Sequence, residues 1–409
     1  MELAPVQHNI TGLFAGVAGL EAGLSRAGHT TSLFCECDPE AVSVLRARFP
    51  AVPLHLDVRK TDELKEQIDP SSSLLTAGFP CTDLSQAGTT RGFAGGRSSL
   101  ILDTLKLIAA RPFENILLEN VPNWRQLHKG AYLRQVVEAL EKLGYRWAYR
   151  TIDARAFGVP QRRLRIILFA TLKGDPREVL FHGDEREREL VLPLTQAAHG
   201  FYWTEGNTGL GWGEDCIPTL KGGSALAIPS APAILMPDLS IITPAIEDAE
   251  RLQGFSKAWT DLEERAEMVG GGRFHQRRRW LLVGNAVNVQ VSKWVGDRLA
   301  GRQTFHGDDG QPMEPGDPWP TAAWFDGEVR RKASVGTWPV KRSNSPLASF
   351  LSKPGQPLSL RATDGFYRRI STSRLRLRAG FLDAVKAHAD RMRAAVRHET
   401  ENEEIRKAA

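Results

Sequence analysis

The chain has 409 residues, with 53 Lys and Arg against 48 Asp and Glu and 42 % hydrophobic side chains. That length allows two or three packed domains, and the balance excludes fibrous, disordered and disulfide-scaffold classes. No apolar run approaches the roughly 20 residues that span a bilayer, and the opening MELAPVQHNI lacks a secretory signal's basic start. A cytoplasmic protein with no membrane role is therefore expected.

In chain order, short apolar runs at 9–15, 31–36, 73–77, 115–119 and 165–170 read as strands, separated by helical patterns. The helices at 100–110 and 132–143 show core-facing spacing, the second stopping at Gly144 as a C-cap. Alternation of this kind predicts an α/β fold, a doubly wound and mostly parallel sheet covered on both faces. From residue 171 the periodicity is lost among glycines, prolines and a charged run at 184–189, which predicts a small, irregular, loop-rich domain. A helical pattern returns at 244–254, and another begins with a glycine turn and runs over 283–299. Residues 302–320, rich in Gly, Pro and Asp, read as a linker, and a last helix is expected at 380–397.

The net charge of +5 is unevenly placed. Residues 302–409 hold 19 basic and 13 acidic side chains, leaving 34 and 35 for the first 301. Within the tail, residues 330–378 carry 12 Lys and Arg and one acid, Asp364, interleaved with Trp338, Phe350, Phe366 and Tyr367. That pattern suits nucleic acid better than a membrane. A solvated or protein-docking surface is the competing reading.

Four cysteines occur, Cys35, Cys37, Cys81 and Cys216, with no CxxC pair, so neither a metal site nor a disulfide framework is indicated. Cys35 and Cys216 read as small core hydrophobes. Cys81 differs, because it follows Gly78, Phe79 and Pro80 directly after a strand and precedes a polar loop holding Gly88, Gly92, Gly95, Gly96 and Arg97. Such loops close over substrates, and a nucleophilic thiol needs the positive charge or helix amides that this one could supply.

Other chemistry-bearing residues stand at strand ends. Residues 14–19 follow a strand and open a helix, where small residues let a ligand approach the backbone. Glu36 ends the next strand, where an acid suits ribose hydroxyls, and Asp57 with Val58 ends a third; the competing reading is that these acids cap the following helices. Glu119 ends another strand at the same sheet edge as Cys81, and Arg163 and Arg165 share a face at the start of the next.

Taken together and in order, residues 14–19, Pro80 with Cys81, 119–121, 161–165, 251–255 and 284–287 resemble the ordered blocks of the bacterial DNA (cytosine-5)-methyltransferases, over about 300 residues. The resemblance implies an S-adenosylmethionine-dependent enzyme that flips a cytosine from duplex DNA into a pocket closed by the loop after Cys81. By the same resemblance the Cys81 thiolate adds to cytosine C6, Glu119 engages N3 and the exocyclic amine, Arg165 holds the O2 side and Arg163 neighbours the nucleophile. Ser85 and Arg97 become phosphate contacts. For the cofactor it implies Phe14, Val17 and Gly19 around the methionine part, Glu36 on the ribose and Asp57 and Val58 at the adenine. Cys37, Pro80, Leu100, Asn285 and Val287 complete that pocket.

Residues 1–170 then form the catalytic domain, completed by about 272–301; 171–271 a target-recognition domain; and 321–409 a basic extension in possible DNA contact. Three departures from the family pattern stand out: Gly12 where an acid often precedes Leu-Phe, Ala18 for a usual glycine and Cys37 for a bulky residue that packs on adenine. The long tail is a further difference. Expected partners are double-stranded DNA and restriction or phage-defence proteins encoded elsewhere, with a monomer as the acting form. Modification of transfer RNA by the same fold, and a non-catalytic DNA-binding regulator, are the alternatives; an intact Cys81, Glu119 and Arg165 count against the regulator.

Overall fold

The computed structural model describes residues 5–79, 99–187, 191–207, 209–223, 231–262 and 272–408. Seven strands come from the first half: β1 (Asn9–Leu13), β2 (Thr30–Cys35), β3 (Leu54–His55), β4 (Ser72–Ala77), β5 (Asn115–Asn120), β6 (Arg146–Asp153) and β7 (Leu164–Thr171). Four short ones follow, β8 (His199–Phe201), β9 (Gly213–Glu214), β10 (Ala233–Leu235) and β11 (Ile241–Thr243). The tail adds β12 (Gln311–Pro312), β13 (Ala322–Phe325), β14 (Arg330–Lys332) and β15 (Gln356–Pro357).

They form two sheets, β12-β14-β13-β6-β7-β5-β4-β1-β2-β3 and β15-β11-β10-β8-β9. In the large sheet β3, β2, β1, β4 and β5 run parallel, and every pairing beyond β5 is antiparallel. The doubly wound half is the one legible from apolar runs, because a parallel strand covered on both faces reads as continuous hydrophobic sequence. β5 (NILLEN) is buried along its whole length.

β6 escapes that reading because its sequence, RWAYRTID, mixes charge with aromatics. Arg150 is wholly buried there; its guanidinium donates to the carbonyls of Leu180, Gly183 and Gly336 at 3.1, 2.8 and 2.7 Å and pairs with Asp184 at 3.1 Å. A buried charge is tolerable only when paired and hydrogen-bonded in this way.

The tail departs most from expectation. Residues 302–320 are not an open linker: they carry β12, and Trp319 packs beside Trp147 and Tyr149 in the main core. β13 and β14 extend the large sheet across β6. Beyond them β15 joins the small sheet, and helices Leu360–Ser371 and Phe381–Ala408 set Phe366, Ile370, Phe381 and Val385 into its core beside Phe201, Leu235 and Ile241. The basic extension is therefore divided between both sheets. The small domain's own boundary shifts too, since Val179, Leu180 and Phe181 belong to the main core.

The pattern at 283–299 resolves into two helices, Gly272–Asn285 and Val289–Ala300. Asn288 caps the second, accepting from the amide of Gln290 at 2.9 Å. That helix packs on Gly19–Arg26, where a Cβ on Gly23 would lie 1.9 Å from Ser292 Oγ. Among the described residues no helix is long and apolar enough to cross a membrane.

Candidate active site

β1 lies between β2 and β4, so the crossovers leave it in opposite directions and a crevice opens at the carboxyl ends of the strands. A cavity of about 690 Å3 occupies it. Its lining includes Phe14, Val17, Gly19, Glu36, Cys37, Asp57, Val58, Leu100, Asn285 and Val287, together with Glu119 and Arg165. Pro80, Cys81, Ser85 and Arg97 lie outside the described residues.

The rim is built by backbone geometry. Phe14, Gly16 and Ala18 all have positive φ (51°, 55° and 63°), turning the chain sharply between β1 and its helix. Glu36 fastens that turn: its Oε2 accepts from the amide of Gly16 at 2.7 Å, and Oε1 from the amides of Cys37 and Asp38 at 2.8 Å. Asp57 is held by the Arg59 guanidinium at 2.7 Å, which draws its carboxyl down to about 2. Leu56, 53 % exposed, lines the same rim and carried no sequence signal.

Glu119 and Arg165 meet because β7 is antiparallel to β5, so the start of one strand lies beside the end of the other. Glu119 stands opposite Ile167, and Arg165, two residues away on the same face, places Nε 2.8 Å from Glu119 Oε1. Both side chains are largely shielded from water. Asn120 ties this strand end to the preceding one, donating to the carbonyl of Phe79 at 3.3 Å.

Arg163 does not join that pair. It is 1 % exposed and absent from the cavity lining, and its guanidinium donates to the carbonyls of Leu220, Gly284 and Ala286 at 2.9, 3.2 and 2.7 Å. The motif residues around it do similar work. Gln161 donates to the carbonyl of Leu252 at 2.9 Å, Gln253 to that of Val283 at 2.8 Å, and Asn288 to that of Leu252 at 3.1 Å. Residues far apart in sequence thus form one buried network that shapes the turn bearing Asn285 and Val287.

Close backbone packing completes the wall. A Cβ on Gly19 would come within 2.4 Å of the Val287 carbonyl oxygen, and one on Gly284 within 2.3 Å of the Lys221 carbonyl carbon. Gly19 is thus required for contact with the 286–288 turn as well as for an open cavity. Trp259, also missed from sequence, donates its Nε1–H to the carbonyl of Val17 at 2.9 Å.

Glu21 was not anticipated either. A Cβ on Gly12 would stand 2.5 Å from its Oε1, so the absence of a side chain at 12 makes room for this carboxyl. Burial pushes the Glu21 carboxyl up to about 7, against a 2.6 Å hydrogen bond donated by Thr76. Cys35 and Cys216 are buried as expected, with thiols raised to about 12 and about 11 by burial.

Residues 8–196 match the family model for C-5 cytosine-specific DNA methylases. Type II methyltransferase M2.BsuMI of Bacillus subtilis (strain 168) is 42 % identical over 370 residues, covering 88 % of this chain and 92 % of that protein. The chain belongs to the C-5 cytosine-specific DNA methylases. Type II methyltransferase M.NgoBV of Neisseria gonorrhoeae is 32 % identical over 177 residues, 40 % of this chain and 41 % of its own length. A solved structure of the S. pombe Dnmt2 methyltransferase superposes with a TM-score of 0.54 over 71 % of this chain and 98 % of that one, at 15 % identity. That likeness establishes the shared fold of this methyltransferase, an α/β architecture with a large, partly parallel sheet.

Proposed function

We propose that this methyltransferase modifies a flipped-out cytosine in duplex DNA, using S-adenosylmethionine, as the modification enzyme of a restriction or phage-defence system. The observation that carries the reading is the shielded Glu119–Arg165 pair on the wall of a cavity otherwise built by cofactor-type residues. A volume of about 690 Å3 lies within the range of cofactor sites, and the donor set suits a nucleoside: Glu36 at the rim for ribose hydroxyls, Val58, Leu100 and the exposed Leu56 as apolar cover for a base. The restriction setting rests on the Type II designation of the relatives.

In this reading Phe14, Val17 and Gly19 surround the methionine part of the cofactor, and Asn285 and Val287 close the other side. The cofactor supplies the methyl group. Cys81 adds as thiolate to C6 of the base, which makes C5 nucleophilic. Glu119 meets N3 and the exocyclic amine, sharing a proton with the ring as charge builds. Arg165 fixes the Glu119 carboxylate and faces the O2 side, so both groups are oriented before the base arrives. Loss of the C5 proton and then of the Cys81 sulfur releases the product. Arg163 acts through the Gly284 and Ala286 carbonyls, as a positioning residue for the cofactor wall.

The deciding experiment is transfer of labelled methyl to duplex DNA and to transfer RNA, with Cys81→Ala as control and base-resolution mapping of the product. Cys81-dependent 5-methylcytosine in DNA is the expected result. Label confined to RNA would replace the DNA substrate by RNA, and no label in either would remove the catalytic reading.

A further inference from the structure

Glu21 is a buried carboxyl at the cavity that the reaction above leaves without a use. It stands in the first turn of helix Gly19–Arg26, 1 % exposed, over the place where Gly12 of β1 pairs with Thr76 of β4. Its two oxygens differ. Oε1 accepts the Thr76 hydroxyl at 2.6 Å, while Oε2 is buried with no hydrogen-bond partner in the protein. The residue also belongs to the cavity lining, beside Phe14 and Glu36.

A buried carboxyl with one oxygen unsatisfied is costly unless a donor, preferably cationic, reaches it. Space for it has been made at the expense of any side chain on residue 12. We propose that Glu21 Oε2 receives a hydrogen bond from the α-ammonium group of the cofactor's amino-acid part. The sulfonium centre has no hydrogen to donate, so the ammonium group is the one cationic donor of such a cofactor. This inference rests on the cofactor reading above and adds to it the residue that recognises the amino-acid end.

The surroundings favour charge compensation by the ligand. Glu36 at the end of β2 is acidic, Thr76 on β4 and Gly12 on β1 are neutral, and on the packed helix Val289–Ala300 Lys293 is paired with Asp297 while Arg298 donates to the carbonyl of Glu178. With no ligand the carboxyl, raised to about 7 by burial, still carries its proton in a large share of molecules at neutral pH and in most of them at pH 6, so binding of the ammonium group expels a proton.

The test is calorimetric binding of two ligands to the full chain: S-adenosylhomocysteine, which carries the ammonium group, and 5′-methylthioadenosine, which lacks the whole amino-acid part. In the unaltered protein, affinity for the first relative to the second should rise several-fold between pH 6 and 7.5. Proton release should appear as a dependence of binding heat on buffer ionisation enthalpy. Glu21→Gln, which preserves shape and the Thr76 contact, should bind S-adenosylhomocysteine at least tenfold more weakly and methylthioadenosine unchanged. Equal loss for both ligands, or no loss for either, overturns the role of Glu21, and so does a pH-independent affinity ratio in the unaltered protein. Failure of the unaltered protein to bind either ligand overturns the cofactor reading itself.

Discussion

At the scale of single residues, two carboxyl groups that line the cavity are in opposite situations. Glu119 has the Arg165 guanidinium at 2.8 Å, whereas Glu21 has a neutral partner in Thr76 and is pushed up to about 7 by burial. For Glu119→Gln the fold should persist, since the amide still accepts from Arg165. Single-turnover methylation should fall by about 10²–10⁴, the usual worth of a positioned acid. For Glu21 the consequence is a stability slope. A carboxyl whose folded value lies above its ordinary 4.5 binds protons more tightly in the native state. Its contribution is therefore most favourable below pH 4.5, is lost as pH rises, and becomes a full penalty above pH 7. Urea titrations of the ligand-free protein against Glu21→Gln should show the difference in stability growing by about 3 kcal/mol over that window. A constant difference would mean that the Glu21 carboxyl is not protonated when the cavity is empty.

At the scale of elements, the cavity depends on segments that touch through glycine. Helix Gly19–Arg26 accepts helix Val289–Ala300 because Gly23 carries no side chain, and the turn before that helix because Gly19 carries none; Ser292 Oγ donates to the Gly19 carbonyl at 2.8 Å. Gly19→Ala would set a methyl group 2.4 Å from the Val287 carbonyl. Overpacking of this kind costs about 1–3 kcal/mol, and here it also displaces a wall of the site. The expected outcome is a lowered melting temperature together with loss of the upward shift that S-adenosylhomocysteine gives the parent protein. An intact ligand-induced shift in Gly19→Ala would show that the wall can yield without harm to the site. This coupling was only partly legible in sequence. Glycines in the first block suggested close approach of a ligand; that the approaching group is also the backbone of residue 287 follows only from the helix packing.

At the scale of the molecule, the tail is part of both layers. Deleting residues 302–409 would remove β12 to β15 and the core side chains Trp319, Phe366, Ile370 and Phe381. Such a truncation tests folding more than DNA contact. Charge substitution is the cleaner probe, because Arg361, Arg368, Arg374 and Arg376 are exposed on or just after helix Leu360–Ser371. Replacing all four by Gln should leave the melting temperature within a few degrees. If they meet phosphates, the slope of log affinity for duplex DNA against log salt should become shallower by about 3–4. An unchanged slope would assign the basic tract to a solvated surface.

Much of the catalytic half could be read from residues 1–170 alone, since buried parallel strands advertise themselves as apolar runs and their carboxyl ends fix where Glu36, Asp57 and Glu119 must lie. Ordered motifs did the same for the family. Tertiary structure decided what pattern could not. It turned β7 against β5, which is what brings Arg165 to Glu119, and gave Arg163 to buried carbonyls instead of the pocket. Charge hid β6, and composition hid the folded state of residues 302–320, because Arg150 finds its hydrogen-bond acceptors and Trp319 its aromatic neighbours in segments distant in the chain. Glu21 was invisible for the same reason: a carboxyl acquires a role from the oxygen that remains unpaired, and pairing is settled only when β1, β4 and the first helix are packed together.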